Sequence, residues 1–270
     1  MRIPAPDDGT PGRTGPPGAA PWWAEQGTGE PLVLLHGGLT DARFFSRNVP
    51  ALAERFRVYT PDARGHGHTP DVPGPITHEL LMRDMVAFLT TVVGRPAHLA
   101  GHSLGGTTAL QVALRHPGLV RRLILVSTCI RPMAPGRGSP WPGPGELARF
   151  LAPGYGEISP DGEAHFPVVA AKVVSMLAGE PAPAQSELGG VSHRTLLMAG
   201  DEDAVPLDDT MALYNGIPDA ELAIVPGTSH FLLREKPDLC NAIMLDFLAG
   251  APVPAVPPVR RAGARGSRLR

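Results

Sequence analysis

Several features that would mark other protein classes are scarce or missing in this sequence. It has two cysteines, Cys129 and Cys240, which are too few for a disulfide framework and are not spaced as metal ligands. The sequence has no run of about 18 apolar residues, so it predicts no membrane helix. Residues 1–21 lack the apolar centre of a secretory signal. We therefore expect a soluble, cytoplasmic protein without a metal centre.

An excess of charge of one sign is also missing. The formal net charge is −2, so nothing favours nucleic acid as a partner. Residues 251–270 are locally basic, with five arginines and no acidic residue. This Pro-rich end and the Pro- and Gly-rich residues 1–21 are both expected to be disordered, because neither can bury enough apolar surface to offset the loss of conformational entropy.

Between these ends, short apolar runs alternate with helical patterns. The predicted strands are 31–36, 57–62, 97–102, 122–127, 194–200 and 220–227. The predicted helices include 77–93, with Thr77 as its N-cap, 104–117, and one helix after each of the last two strands. This alternation predicts an α/β fold with a mostly parallel, doubly wound sheet, built from residues 22–129 and 194–250.

Residues 130–193 interrupt the alternation. A Pro- and Gly-rich stretch, 130–146, is followed by a single clear helical pattern at 163–179. Long insertions in compact domains are commonly functional. We therefore expect residues 130–193 to form a small helical lid inserted into the core.

One serine stands in the setting of a nucleophile. Ser103 is the centre of G-x-S-x-G in "GHSLG" (101–105), a pattern that is weak alone but here lies between a predicted strand and a predicted helix. A serine needs a histidine base, and the base needs an acid that orients it. His230 follows the last predicted strand, whereas His102 should point away from Ser103 because strand side chains alternate.

The acid is expected in "MAGDEDAVP" (198–206), which contains Asp201, Glu202 and Asp203; the residues alone do not decide between them. The remaining requirement is an oxyanion hole of two backbone N–H groups. Leu104, directly after the serine, is expected to supply one of them. The other is expected from "LLHGGLTD" (34–41), with Gly38 preferred and Leu39 second.

Taken together, these motifs resemble the α/β-hydrolase fold family, in the branch of small lidded esterases, lactonases and carbon–carbon bond hydrolases. The resemblance covers about residues 22–249 and rests on "LLHGG", "PDARGHGHT", "GHSLGG", "GDEDAVP" and "GTSHFLLREKP", in that order. In such proteins the acid ends a G-x-x-D pattern, which implies Asp203. The resemblance also implies structural roles for Arg64 and His66.

The implied activity is a serine hydrolase that cleaves an ester, lactone or thioester of a small, largely apolar substrate without a cofactor. The alternatives are a carbon–carbon bond hydrolase, a cofactor-free perhydrolase and a non-catalytic ligand-binding protein of the same fold. A carbon–carbon hydrolase should need a cation for the substrate carboxylate. The candidate substrate contacts are Leu39, Met133, Val205 and Phe231. No nucleic-acid or membrane partner is implied, and the oligomeric state is not indicated.

Overall fold

The computed structural model describes residues 10–13, 21–132, 144–179 and 183–250. Met133, one of the candidate substrate contacts, and the basic end at 251–270 lie outside the described residues. Among the described residues, no helix is both long and apolar enough to cross a membrane.

The described strands form one eight-stranded sheet in the order β1-β2-β4-β3-β5-β6-β7-β8. The strands from β3 onward run parallel to one another, and β1 and β2 are antiparallel at one edge. Their bounds are β1 Thr10–Arg13, β2 Trp23–Gln26, β3 Glu30–Leu35, β4 Phe56–Pro61, β5 Ala97–His102, β6 Val120–Val126, β7 Thr195–Gly200 and β8 Ala220–Val225. The predicted α/β class is confirmed.

Helices cover both faces of the sheet. Along β3, Val33 and Leu35 face the apolar cluster formed with α2, α3 and α6, whereas Leu32 and Leu34 face the cluster formed with α1, α7 and α8. A strand buried on both faces therefore has the continuous apolar run that predicted it. The helices are α1 Val49–Ala53, α2 His78–Phe88, α3 Leu104–Arg115, α4 Pro144–Gly156, α5 Phe166–Gly179, α6 Leu207–Gly216, α7 Leu232–Glu235 and α8 Pro237–Ala249.

The antiparallel edge of the sheet differs from the prediction. Thr10–Arg13, inside the segment expected to be disordered, forms β1 and pairs with β2. Backbone pairing at an exposed sheet edge needs no buried side chains, so composition alone does not forbid it. The prediction of disorder is wrong for these four residues.

The described residues of the insertion between β6 and β7 form two α-helices, where the sequence predicted one. The helix α4 forms despite Pro153 and several glycines, and α5 follows a single turn of 3-10 helix at Glu163–His165. Val169, Val173 and other residues of α5 are fully buried in a cluster that includes Leu104 at the start of α3. The helix α5 of the insertion thus lies over the carboxyl end of the sheet.

Candidate active site

Ser103 occupies a sharp turn between β5 and α3. Its φ of 51° and ψ of −118° lie in a region that non-glycine residues rarely adopt. Gly101 and Gly105 permit this turn: a Cβ at Gly101 would collide with the carbonyl of Gly105, and a Cβ at Gly105 would collide with the carbonyl of Leu35. Residue 103 is therefore raised on a strained turn at the N-terminus of a helix, where negative charge is stabilised.

The loop after β3 lies beside this turn. A Cβ at Gly37 would be 3.3 Å from Ser103 Cβ, and one at Gly38 would be 3.6 Å from Leu104 Cδ2. The two predicted oxyanion donors, Gly38 and Leu104, are therefore on adjacent segments. The second choice, the Leu39 N–H, already donates to His66 Nε2 at 3.0 Å.

His230 and Asp203 are joined by a hydrogen bond. His230 Nδ1 donates to Asp203 Oδ1 at 2.9 Å, and the side chain of Asp203 is completely buried. Burial alone would raise the pKa of Asp203, but the hydrogen bonds from His230 and Ser127 outweigh it and leave the pKa lowered. The acid is therefore ionised and holds His230 in the tautomer whose Nε2 carries a lone pair.

His102 links the turn at Ser103 to the loop of His230. Its Nε2 donates to the carbonyl oxygen of His230 at 2.8 Å, and the centroids of the two rings are 4.7 Å apart. The ring of His102 also stacks on Phe44 at 4.4 Å. Burial is the main cause that lowers the pKa of His102 to about 3, and the neighbouring His230 is the second, so this side chain stays neutral.

The other two acidic residues of the 198–206 segment, Asp201 and Glu202, are hydrogen-bonded to Thr228. Asp201 Oδ1 accepts the Thr228 N–H at 3.0 Å, and the Glu202 N–H donates to the Thr228 carbonyl at 3.0 Å. Backbone hydrogen bonds from Gly227 and Thr228 lower the pKa of Asp201. Asp201 thus fixes the turn that precedes His230.

The remaining candidate contacts lie around this centre. Phe231 is 44% exposed, and its ring centroid is 5.7 Å from that of His230. Leu39 packs against the lid cluster. Val205 is buried, and its backbone N–H donates to Asp203 Oδ1 at 2.9 Å, so the contact it makes here is with the acid.

Ser127 is a residue that the sequence analysis missed. Its Oγ donates to Asp203 Oδ2 at 2.5 Å. The segment after β6, residues 127–133, contains no carboxylate and none of the motifs on which the resemblance rests. Its position at the carboxyl end of the strand between β5 and β7 is the signal that could have drawn attention to it, because parallel strands end at the same edge of a sheet.

Arg64 and His66, for which the resemblance implied structural roles, take part in hydrogen bonds beside the site. Arg64 donates to both carboxylate oxygens of Asp84, each at 2.6 Å. His66 Nδ1 donates to the Arg64 carbonyl at 2.9 Å while its Nε2 accepts from Leu39. In the described part of the chain, no group of three or more His, Cys, Asp or Glu residues is arranged to hold a metal ion.

The sheet is mostly parallel and flanked by helices, and a strained serine turn and a buried Asp–His pair lie at the carboxyl ends of its strands. This combination is typical of hydrolases with an α/β fold. The sequence model of the alpha/beta hydrolase family matches residues 32–243. The chain belongs to the alpha/beta hydrolase family.

Individual relatives carry out different hydrolyses. The chain is 29% identical over 264 residues to 2-hydroxy-6-oxo-6-phenylhexa-2,4-dienoate hydrolase of Burkholderia cepacia, covering 83% of this chain and 90% of the relative. It resembles the structure of the enol-lactonase from Burkholderia xenovorans LB400, with 25% identity, a TM-score of 0.65 and coverage of 84% and 96%. It also resembles a thermophilic esterase from Thermogutta terrifontis, with 25% identity, a TM-score of 0.64 and coverage of 84% and 92%.

Proposed function

We propose that the protein is a serine hydrolase that cleaves an ester, lactone or thioester of a small, largely apolar substrate. The observation that carries the proposal is the 2.9 Å hydrogen bond between His230 and the buried Asp203, together with the strained turn at Ser103. His102 supports it by tying the His230 loop to that turn. A protein that only bound ligands would have no need to combine these features.

The mechanism follows from the roles of these residues. Ser103 Oγ attacks the substrate carbonyl carbon while His230 Nε2 takes the hydroxyl proton. Asp203 stabilises the imidazolium that results, and the N–H groups of Gly38 and Leu104 donate to the oxyanion. The leaving group departs with the proton from His230. Water, deprotonated by His230, then attacks the acyl-Ser103 carbonyl and releases the acid product.

Apolar lining and paired cations support a largely apolar substrate. Leu39, Leu104 and Val173 belong to the cluster between the lid and the core. Three cations of the described lid and core are in ion pairs: Arg43 with Asp41 and Glu157, Lys172 with Asp71, and Arg131 with Asp209. A substrate carboxylate would have to displace one of these partners, at a substantial cost.

A second candidate is hydrolysis of a carbon–carbon bond. The similarity to the Burkholderia cepacia dienoate hydrolase favours it. The same serine, histidine and acid would serve, but the substrate would be an anionic dienone acid. The ion pairs of Arg43, Lys172 and Arg131 argue for the neutral ester or lactone instead.

The test uses a p-nitrophenyl alkylphosphonate and a chain-length series of p-nitrophenyl esters. We expect the wild type to release p-nitrophenolate from both, with the phosphonyl group on the peptide that contains Ser103. Ser103→Ala should release no p-nitrophenolate from either compound and should take up no phosphonyl group. Ser186→Ala, at an exposed serine in the 3-10 helix Gln185–Gly190, is the control and should behave as the wild type. Labelling or turnover that persists in folded Ser103→Ala would refute the proposal. A wild type that takes up phosphonate but prefers a dienone acid to every ester would establish the second candidate.

A further inference from the structure

We propose that Ser127 is a positioning residue, whose hydroxyl holds the Asp203 carboxylate in the orientation in which it receives the His230 Nδ1–H. The inference rests on the proposed function, because it assigns Ser127 a place behind Ser103, His230 and Asp203. Ser127 itself does not contact the reacting atoms in this scheme. It acts on the base through the acid.

The backbone presents Ser127 to Asp203 in an unusual conformation. Ser127 directly follows β6, is fully buried and has a φ of 50°, a value in the left-handed region that is uncommon for residues other than glycine. Its N–H donates to the Met198 carbonyl of β7 at 2.8 Å, which anchors it to the strand that leads to Asp203. Strained residues of this kind cluster at functional sites.

The hydrogen bonds of Asp203 give each of its oxygens a donor. Oδ1 accepts from His230 Nδ1 and from the Val205 N–H, both at 2.9 Å. Oδ2 accepts from Ser127 Oγ at 2.5 Å, a distance typical of a hydroxyl bonded to an ionised carboxylate. Because the Asp203 side chain has no exposed surface, removing the hydroxyl leaves a buried carboxylate oxygen without that partner.

The Ser127 hydroxyl also affects how strongly the Asp203 carboxylate stabilises the protonated form of His230. A donor at Oδ2 draws negative charge away from Oδ1. Without it, more of the charge faces the imidazole ring, and the protonated base is stabilised more strongly. The base then keeps its proton to higher pH and is in its active form over a narrower range.

Among the described residues, His102 and Cys129 are titratable groups beside this pair. Burial, and then the neighbouring His230, lower the pKa of His102 to about 3. Burial raises the pKa of the Cys129 thiol, which donates to Asp209 Oδ2 at 3.0 Å. Neither group changes charge between about pH 5 and pH 8. These two groups therefore do not contribute to the acidic limb of a rate profile in that range.

The experiment measures the second-order rate of Ser103 phosphonylation by p-nitrophenyl alkylphosphonate as a function of pH, which requires no knowledge of the natural substrate. The variants are Ser127→Ala and Ser127→Gly. Glycine removes the hydroxyl and tolerates the positive φ, so it separates the hydroxyl from backbone strain. The matched control is Thr195→Val, which removes a buried hydroxyl bonded to His193 at the opposite end of β7.

We expect both Ser127 variants to fold, to react about 5- to 50-fold more slowly at neutral pH, and to move the midpoint of the acidic limb upward by about half a unit or more. Thr195→Val should leave the midpoint unchanged. A lower rate with an unmoved midpoint would overturn the proposal, since a purely structural role predicts that result. Failure of Ser127→Gly to fold while Thr195→Val folds would overturn it as well.

The two proposals fail in different ways. If Ser103→Ala is inert and the Ser127 variants keep the wild-type limb, the serine hydrolase stands and only the role of Ser127 is refuted. If Ser103 takes up no phosphonate in the wild type, the proposed function itself is refuted. A double variant, Ser127→Asp with Asp203→Asn, adds a positive test: a carboxylate at position 127 should recover part of the phosphonylation lost in Asp203→Asn.

Discussion

His66 Nε2 accepts a hydrogen bond from the Leu39 backbone N–H at 3.0 Å. This bond commits the Leu39 N–H to His66, in a residue whose φ is 61°. Gly38 is consequently the better candidate for an oxyanion donor in the loop after β3. The preference for position 38 over position 39 is supported by a histidine 27 residues away from Leu39, a contact that "LLHGGLTD" alone does not show.

Gly38→Ala should lower kcat. A Cβ at this position would lie 3.1 Å from Val173 Cγ1 in the lid helix α5, closer than ordinary packing, so the loop or the helix must shift. A displaced oxyanion donor costs about 10-fold or more in rate. Steady-state kinetics should show the loss in kcat, and Val173→Ala in the same chain should restore part of it. Gly118→Ala, where a Cβ meets nothing within 4 Å, is the control; equal kcat in both variants would exclude a tight fit at Gly38.

His66 makes folding stability depend on pH. Burial, and then the neighbouring His36, lower its pKa to about 4, against about 6.5 in the unfolded chain. Between these values the unfolded state binds a proton that the folded state does not. The free energy of unfolding should therefore fall as the pH drops through this window, by about 2 kcal/mol between pH 7 and pH 5 from this residue.

Urea unfolding at pH 7 and pH 5 measures this effect. His66→Gln keeps a donor and an acceptor but does not titrate, so its loss of stability on acidification should be smaller than that of the wild type by about 2 kcal/mol. His116→Gln, at a partly exposed histidine, should behave as the wild type. An identical acid loss in His66→Gln and in the wild type would mean that His66 is not the residue responsible.

Asp203→Asn should be far more damaging than Asp201→Asn. An amide at 203 cannot support the charged imidazole and favours the wrong tautomer, a change that costs about 10⁴-fold in related triads. An amide at 201 still offers an oxygen to the Thr228 N–H, so the turn before His230 should survive and kcat should fall by less than about 10-fold. The kcat values of the two variants on one ester give the ranking. A larger loss in Asp201→Asn would mean that Asp201, and not Asp203, is the acid of the site.

The parallel core was predictable because its strands are buried on both faces. The strand β7 is buried along its whole length, and its residues 196–199 form an uninterrupted apolar run. The strand β2 carries no such run, since only Trp23 among its four residues is buried. The helix α4 was not predicted because its prolines and glycines have weak helix propensity. Packing within the insertion outweighs that propensity.

The site was predictable to the level of its motifs but not of its hydrogen bonds. Ser103 and His230 stand at strand ends in recognisable patterns. The roles of His66 and Ser127 instead depend on which side chains the fold brings to one edge of the sheet. Ser127 also adopts a positive φ, which a serine rarely does and which its sequence neighbours do not predict.

The proposed lid contacts the core through charged groups as well as through apolar residues. Lys172 of α5 donates to both carboxylate oxygens of Asp71, at 2.9 and 2.7 Å, and His165 Nε2 is 2.9 Å from Asp71 Oδ2. The backbone N–H of Asp71 donates in turn to Asp161 at 2.7 Å. Asp71 is nearly inaccessible to water, its side chain being 6% exposed, so its negative charge depends on these partners.

Lys172→Met should therefore make the lid open more often. Methionine keeps the length of the side chain but leaves Asp71 without its principal cation, which should weaken closure by about 1–2 kcal/mol and raise the open fraction about 5- to 30-fold. Limited proteolysis should show faster first cleavage within residues 130–193. Arg57→Met, which breaks an exposed pair with Glu25 on the sheet, is the control and should cleave as the wild type. Equal cleavage of Lys172→Met and the wild type would mean that the apolar cluster around Val173 alone holds the lid closed.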